Sequence, residues 1–551
     1  MEVIGLTGHE STSYQKRPYS VRQTALKKHA NLTLSDVRTA IIVRRRSGSL
    51  QSSRINHDTS YLTCPVYDNA QLVLGAAACL GVVGVVVQAY LSKSDGNFQL
   101  PPSPPSWRLW GHFIPPHNPS LALARWIDKH GPLITIRSGT EKIVVIGRYN
   151  AAVDIMEKQG ASIADRPRRV AAGEMLGEQL HAHLQPKVAE EYQPLQMSHA
   201  KDTVLNILED PYNFQNHART YFEVMLRPSL RKLRTASVRS HLRRILKPEK
   251  FASKSKSFVQ PYSLMLTWWT PYQWLKYLPW YGRELKQAFK RAGQLYTGQL
   301  NRVKQQIQSN VDIGPSFVKH MLENVELHGL SEVEMSFLAG GFFAAGTDTT
   351  TFAICTVLMA AACFPEEQDK VQVELDAVIG RHRAPTFADE QSLPRLRAFI
   401  SEALRWRPLA PEGIAHRTTK EVIWGKYYIP TGTTVVGNHW CISRDPEVFP
   451  EPDAFKPERW IDDRGRVRDD LKFFVFGFGR RVCPGQHVAT RSVFINSLLI
   501  LWAFRLNLNP TKPLDDMGFM RGKAQPGTIE FTTRIPASEV RRMMQNYPEE
   551  R

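Results

Sequence analysis

Cysteine is scarce in this chain, and the cysteines that are present show no pairing pattern. The 551 residues include six of them at irregular spacing, Cys64, Cys79, Cys355, Cys363, Cys441 and Cys483. This scarcity excludes a disulfide framework and favours a reducing compartment. Neither a Cys-x-x-Cys pair nor a Cys/His cluster lies near Cys483, which excludes a structural zinc site there. Taken alone, a lone cysteine is most often a small, buried and inert side chain.

Acidic residues are also in deficit. Asp and Glu total 52 against 71 Lys and Arg, which gives a net charge of +19. Such an excess suits a membrane surface, an acidic protein partner or nucleic acid. With 42% hydrophobic residues the chain can bury a large core, and neither a repeat nor a break in composition divides it after residue 100. We therefore expect one large domain over residues 121–545.

The N-terminal segments lack the periodicity of a globular domain. Residues 1–66 are polar and basic, which predicts a disordered tail. Residues 72–91 contain one clearly polar side chain, Gln88, and are long enough to cross a bilayer as a helix. A buried core helix is the alternative, but a proline-rich hinge over residues 97–120 follows, so we predict a membrane anchor. The positive-inside rule would keep the basic tail cytoplasmic.

Hydrophobic periodicity predicts the first elements after the hinge. Residues 121–129 have helical spacing, and residues 133–137 and 142–146 alternate as two strands. Asn150 is the predicted N-cap of a following helix that runs to Glu157.

One glycine-rich loop presents a cysteine in an unusual setting. In residues 476–485, Arg480 and Arg481 lie beside Cys483, and an apolar helix is predicted over residues 488–502. Cationic side chains, backbone N–H groups and a helix start all favour a thiolate, the form of cysteine that binds metal. The glycines permit close approach of a flat, bulky cofactor. A single thiolate ligand is an arrangement of haem iron.

The loop resembles the signature of the cytochrome P-450 haem-thiolate monooxygenases, Phe-Gly-x-Gly-x-Arg-x-Cys-x-Gly, at every defined position. The resemblance implies a mainly α fold with small β-sheets that encloses haem b (iron protoporphyrin IX). It makes Cys483 the axial ligand of the haem iron. The other cofactor-binding residues that it implies in the loop are Phe476, Gly477, Gly479, Arg481 and Gly485.

A long helix is predicted from Ser331, which forms a capping box with Glu334, to Pro365. Its middle contains glycines and hydroxyl side chains, which are unfavourable in a helix interior. A bent core helix would explain them as well. The resemblance instead implies that Ala345 and Gly346 form a groove over the haem. It further implies that Asp348 and Thr349 are an acid–alcohol pair that relays protons to dioxygen.

Three charged residues form a predicted structural network. Glu402 and Arg405 are spaced i and i+3 on one helix face, a pattern common on solvated helices. In the family resembled, this pair is joined by an arginine that corresponds to Arg459. The resemblance therefore implies a buried network behind the haem, whose charges must be mutually paired.

The haem propionates also need partners, and here the chain departs from the family. Arg481 and either His416 or Arg417 are the candidates that it retains. The usual helix with a Trp-x-x-x-Arg element is missing, since tryptophan is absent between Trp126 and Trp268. As substitutes we consider three residues, Arg168, Arg169 and His183.

A second departure is a basic run over residues 227–256, where eleven Lys and Arg accompany one acid, Glu249. One interpretation is a surface that binds nucleic acid or a membrane. The second is a solvated segment or an insertion foreign to the fold. Because aromatic residues are not interleaved with the charges, we favour the second interpretation and expect no nucleic-acid partner.

The resemblance, which is to fungal microsomal members, implies insertion of one oxygen atom from O2 into a small apolar substrate, either a secondary metabolite or a xenobiotic. NADPH would supply electrons through an acidic NADPH-cytochrome P-450 reductase that docks near Lys472, Arg480 and Arg481. Residues 72–91 would anchor the chain in the endoplasmic reticulum membrane as a single pass, with the catalytic domain facing the cytosol. That orientation conflicts with a cytoplasmic N-terminal tail. Two alternatives remain: a haem-binding protein with impaired or no turnover, and a nucleic-acid-binding protein.

Overall fold

The computed structural model describes most of the chain after residue 98. The described residues are 75, 77–84, 99–106, 111–115, 119–138, 141–167, 190, 192–225, 283–310, 316–471, 473–516 and 528–548. The chain divides into two compact units, residues 1–93 and residues 94–551. In the second unit the described residues are mainly helical with small sheets, as the sequence predicts.

Helices are the main secondary structure among the described residues of the second unit. In chain order they are α1 (Pro119–His130), α2 (Tyr149–Ala152), α3 (Gln193–Glu209), α4 (Phe214–Met225), α5 (Arg283–Gln308), α6 (Phe317–Glu323), α7 (Val325–His328), α8 (Glu332–Cys363), α9 (Pro365–Val378), α10 (Pro394–Trp406), α11 (His439–Ile442), α12 (Gln486–Ala503) and α13 (Ala537–Gln545). A π-helical segment, Val153–Lys158, continues α2.

In the part of the chain that the structure describes, the strands are short and form three small sheets. They are β1 (Leu133–Ser138), β2 (Glu141–Ile146), β3 (His416–Arg417), β4 (Val422–Trp424), β5 (Tyr427–Ile429), β6 (Thr434–Gly437), β7 (Phe504–Leu508) and β8 (Ile529–Thr533). The largest sheet has the order β1-β2-β6-β3, in which only β2 and β6 are parallel. The pairs β4-β5 and β7-β8 are antiparallel.

Alternation of side chains across β1 and β2 explains why the largest sheet is buried on both faces. Leu133 and Val144 pack into one hydrophobic cluster, whereas Ile134 and Val145 pack into another, which includes Ile127 of α1. Successive residues of a strand point to opposite faces, so a run of β-branched residues fills both clusters.

Helix α8 is the central element of the helical core. Ser331 caps it as the sequence predicts: its Oγ accepts from the N–H of Glu334, whose carboxylate accepts from the N–H of Ser331 at 2.8 Å. The helix ends at Phe364, and Pro365 opens α9. Its C-terminal half is buried against α10 and α12, so α8 is fixed in place relative to both.

The prediction that Asn150 caps the next helix is wrong. Helix α2 begins one residue earlier, and its N-cap, Arg148, makes no side-chain capping bond. Asp445 instead accepts from the N–H of Tyr149 at 2.8 Å. A carboxylate almost 300 residues away therefore satisfies this helix start, which local sequence could not indicate.

Several sequence predictions fall outside the described residues. They are the tail over residues 1–66, the basic run over residues 227–256, Arg168, Arg169, His183 and Lys472. Within the predicted anchor, residues 77–84 are helical and exposed. Of the described helices, only Glu332–Cys363 is long and apolar enough to cross a membrane, and 56% of its most apolar window is buried inside the protein. That burial is typical of a core helix.

Candidate functional site

Tight turns and a short hydrogen bond shape the loop that carries Cys483. The loop contains the 3-10 turns Phe474–Phe476 and Gly479–Arg481. Between them Gly477 has a φ of +86°, which favours glycine. The N–H of Cys483 donates to the carbonyl of Phe476 at 2.8 Å. The cysteine is thus held by the backbone directly before α12, which packs against α8.

Cys483 is partly buried. Burial raises its pKa, and a hydrogen bond from the N–H of Gly485 to the sulfur opposes that shift. The sequence led us to expect that Arg480 and Arg481 would lower this pKa. That expectation is wrong: the causes of the pKa shift are burial and the N–H of Gly485, and neither arginine is among them.

Two arginines and a histidine gather beside the loop. Burial first, and then the charge of Arg166, lower the pKa of His416 to about 4, and Arg481 acts in the same direction. Arg166 donates to the carbonyl of Ala415 at 2.7 Å. We call Arg166, Arg481 and His416 the propionate cluster, because it concentrates groups suited to bind carboxylates.

The ring of His416 is oriented by a carbonyl oxygen. Its Nδ1 lies 3.2 Å from the carbonyl of Ile163, which only accepts, so Nδ1 carries the proton. In the neutral ring Nε2 is therefore an acceptor, and His416 donates to a carboxylate only when protonated. An adjacent anion would favour that protonation.

The two alternatives, His416 and Arg417, have different surroundings. The guanidinium of Arg417 donates to the carbonyl of Gly432 at 3.2 Å, at an exposed position. Only His416 of the two lies in the propionate cluster. Sequence reasoning did not include Arg166 among the site residues. The sequence clue to Arg166 is its place in the segment Asp165-Arg166-Pro167. The structure brings this segment next to β3, since the carbonyl of Asp165 accepts from the N–H of Arg417.

The middle of α8 exposes a narrow face of small side chains. Ala345 and Thr349 are exposed one turn apart, Gly346 is partly buried, and Thr347 and Thr350 are buried. The hydroxyl of Thr349 donates to the carbonyl of Ala345 at 2.7 Å. Its oxygen retains lone pairs that can accept a further hydrogen bond.

Asp348 is held by a residue that sequence reasoning missed. The Nη2 of Arg219, on α4, lies 2.6 Å from Oδ1 of Asp348, and both side chains are largely buried. Because the contact spans 129 residues of sequence, local patterns gave no indication of it. The ion pair fixes the acidic side chain next to Thr349 along the helix.

Glu402, Arg405 and Arg459 form one buried network. Arg405 donates to both carboxylate oxygens of Glu402, at 2.7 and 2.8 Å, and both side chains are fully buried. Arg459 donates to the same carboxylate at 3.3 Å, and the indole of Trp460 donates at 3.0 Å. Arg405 also donates to the carbonyl of Ser443 at 2.7 Å. Every charge of the network thus has a partner.

The donor set fits a haem rather than a bare metal ion. Among the described residues there is no group of three His, Cys, Asp or Glu that could hold a metal ion. A single thiol suffices for haem iron, because the porphyrin supplies the equatorial ligands and the protein an axial one. The propionate cluster lies beside the same loop, where two carboxylates would need partners.

Comparison with known proteins decides the family. A family model described as cytochrome P450 matches residues 243–528. Cytochrome P450 monooxygenase 113 of Postia placenta is 40% identical over 490 residues, which cover 84% of this chain and 98% of that protein. The chain belongs to the cytochrome P450 family. Cytochrome P450 monooxygenase 64 of the same fungus is 42% identical over 466 residues, 81% of this chain and 93% of the relative.

As a P450 the protein is an oxidoreductase that incorporates oxygen, and its family binds haem. The family match contains the exposed face of α8, the Glu402 network and the Cys483 loop. Arg166 and Arg219 lie before residue 243, outside that match. Another fungal relative, cytochrome P450 monooxygenase aneD of Aspergillus aculeatus, is 30% identical over 474 residues, which cover 80% of this chain and 89% of the relative.

Proposed function

We propose that this P450 is a haem-thiolate monooxygenase in which Cys483 is the axial ligand of haem b. The observation that carries the proposal is the buried thiol of Cys483, with the N–H of Gly485 donating to its sulfur. That N–H stabilises a thiolate and leaves other lone pairs of the sulfur for iron. Bound haem would supply the iron that activates O2.

The propionate cluster would neutralise the two carboxylates of the haem. Arg166 and Arg481 each carry a planar guanidinium group with five N–H donors, a geometry that matches carboxylates. His416 would add a third donor once an anion beside it favours its protonated form. Three donors of this kind stand in for the missing Trp-x-x-x-Arg element.

Asp348 and Thr349 would move protons. Arg219 holds the Asp348 carboxylate in a fixed position, and the next residue, Thr349, presents its hydroxyl on the exposed face of α8. We assign the relay to this acid–alcohol pair, in which the Thr349 oxygen accepts one hydrogen bond while its hydroxyl donates another. The buried flanks of α8 would limit entry of bulk water.

The remaining parts of the proposal concern partners and location. Electrons would come from NADPH through an acidic NADPH-cytochrome P-450 reductase that docks on the face of the exposed Arg480, and the substrate would be a small apolar molecule, either a secondary metabolite or a xenobiotic. Residues 72–91 would anchor the protein in the endoplasmic reticulum membrane, with the catalytic domain facing the cytosol.

The carbon monoxide difference spectrum of the reduced, purified protein tests the ligand. We expect a thiolate-type shifted band, lost in Cys483→Ser and retained in the control Cys441→Ser. A Cys483→Ser protein that keeps the band would place the ligand elsewhere. The same preparation, mixed with the reductase and NADPH, separates monooxygenase from the second candidate function, a haem-binding protein without turnover. That candidate predicts haem but no substrate-dependent NADPH oxidation, and is favoured only by the missing Trp-x-x-x-Arg element.

A further inference from the structure

The carboxylate of Glu157 reaches the cysteine loop from a distant part of the chain. Its Oε2 accepts from the N–H of Gly479 at 2.6 Å, and 322 residues separate the two in sequence. A hydrogen bond to an ionised acceptor is shorter and stronger than one between neutral groups. The contact therefore joins the π-helical segment that follows α2 to the turn that leads to Cys483.

The backbones at this contact touch directly. Gly479 has a φ of +56°, and a Cβ at this position would lie 2.4 Å from the carbonyl oxygen of Met156. A Cβ at Gly160 would lie 3.3 Å from the Cα of Gly479. Only glycine fits at Gly479, for its angle and for its space. The turn thus lies against residues 156–160 with no room to shift towards them.

The π-helical segment contacts different elements through neighbouring side chains. Asp154 accepts from the Nζ of Lys158 at 2.8 Å and from the indole N–H of Trp424 in β4 at 3.1 Å. Three residues later Glu157 contacts the cysteine loop. A single π-helical turn is rare and shifts the direction of the side chains that follow it. Asp154 fixes the segment to the small sheet, while Glu157 extends from it to the loop.

A second contact holds the other end of the same turn. Gly479–Arg481 is one 3-10 turn, and Arg481 at its end donates to the carbonyl of Ala164. Residues 157–164 therefore bind the turn at its first and last residues. Cys483 follows two residues later, with its N–H bonded to the carbonyl of Phe476. The position of the sulfur depends on this turn.

We propose that Glu157 is a positioning residue for Cys483: its carboxylate fixes the Gly479 turn and so holds the thiolate in the geometry that binds iron. The inference rests on the proposed role of Cys483 as haem ligand. Glu157 itself does not touch the reacting atoms.

The test uses the full-length holoprotein and four variants. Glu157→Ala removes the acceptor, Glu157→Asp withdraws it by one methylene, and Glu157→Gln keeps an oxygen that can accept from Gly479. Asp154→Asn is the matched control, because it alters a carboxylate of the same segment that does not contact the loop. We would measure the fraction of haem with the thiolate-type carbon monoxide band and the hydrogen exchange of peptides that span residues 474–486.

In Glu157→Ala we expect a several-fold loss of the thiolate-type fraction and several-fold faster exchange of the loop peptides. Glu157→Asp should lie between Ala and wild type, and it decides the matter if the Ala variant does not fold. Glu157→Gln and Asp154→Asn should keep both values near wild type. Wild-type spectra and exchange in Glu157→Ala and Glu157→Asp would overturn the inference. If the wild-type protein itself gave no thiolate band, the proposed function would fail, and the exchange data would still decide whether Glu157 holds the loop.

Discussion

Two opposing effects act on the pKa of the Cys483 thiol. Burial disfavours the thiolate, and the N–H of Gly485 favours it. Because burial is the larger contribution, a positive partner for the sulfur is needed to hold it ionised at neutral pH. Iron would be that partner, since neither loop arginine is among the causes of the pKa shift.

Thr349 provides a test of the proton relay at a single hydroxyl. Thr349→Ala should bind haem and oxygen but release more of its reducing equivalents as hydrogen peroxide, because proton delivery is interrupted. The measurement is the amount of product formed per NADPH oxidised. We expect it to fall by roughly 10²-fold or more, the effect typical of losing a general acid–base group. Thr349→Ser keeps the hydroxyl and should retain most of the coupling; an Ala variant coupled like wild type would remove Thr349 from the mechanism.

His439 makes the fold sensitive to acid. Burial lowers its pKa to about 4, and its ring lies against the edges of Phe474 and Phe478. In the unfolded state the imidazole has a pKa of about 6.5, so on acidification it binds a proton before the folded state does. The contribution of His439 to the free energy of unfolding is therefore complete above that pH and falls as the pH decreases towards 4. The loss attributable to this group is about 3 kcal/mol.

The measurement for His439 is the midpoint of thermal unfolding between pH 7 and pH 4. His439→Phe removes the titrating group and should show a smaller fall over this range than the wild-type protein. An identical fall in both proteins would show that other groups cause the acid sensitivity.

At the scale of elements, α10 depends on the Glu402 network for its position. Arg405 joins α10 to the backbone of Ser443, Pro452 and Ala454 while its charge is matched by Glu402. Removal of one partner from a buried pair leaves an uncompensated charge. The network therefore ties α10 to the irregular segment that follows α11, in addition to the buried side chains of Phe449 and Phe455.

Arg405→Met should lower the free energy of unfolding by about 3–5 kcal/mol. Urea unfolding followed by circular dichroism measures it. A control at the exposed pair formed by Lys370 and Glu367, Lys370→Met, should cost less than about 1 kcal/mol. Equal losses of unfolding free energy at the two sites would mean that burial of the network does not determine its contribution to stability.

Local sequence patterns predicted the helices and strands better than they predicted the contacts between them. The capping box at Ser331, the strands β1 and β2, and the apolar helix α12 follow from periodicity and capping residues, which act within a few positions. The contacts of Arg219 with Asp348 and of Glu157 with Gly479 join residues more than 100 positions apart. No periodic pattern encodes such pairs, so the sequence provided candidate residues for the site but neither Arg166 nor the partners of Asp348 and Gly479.

At the scale of the whole molecule, the match to the family model begins only part-way along the chain. The family match covers residues 243–528, and curated relatives extend the similarity over most of the chain. Residues 177–181, where the Trp-x-x-x-Arg element is missing, lie before that match, and the basic run spans its start at residue 243. We propose that altered splicing or an imperfect gene model produced both features.

Weak retention of haem should follow from the missing element. Two propionates need donors once partly buried, and an unsatisfied buried charge costs several kcal/mol, roughly 3–5 for a broken pair. This chain offers Arg166, Arg481 and His416, of which His416 donates only when protonated. We expect faster haem transfer to apomyoglobin than from a P450 that has the Trp-x-x-x-Arg element, and faster still from Arg166→Gln. Sequencing of the transcript completes the test: a confirmed transcript together with slow haem loss would show that the three residues hold the cofactor unaided.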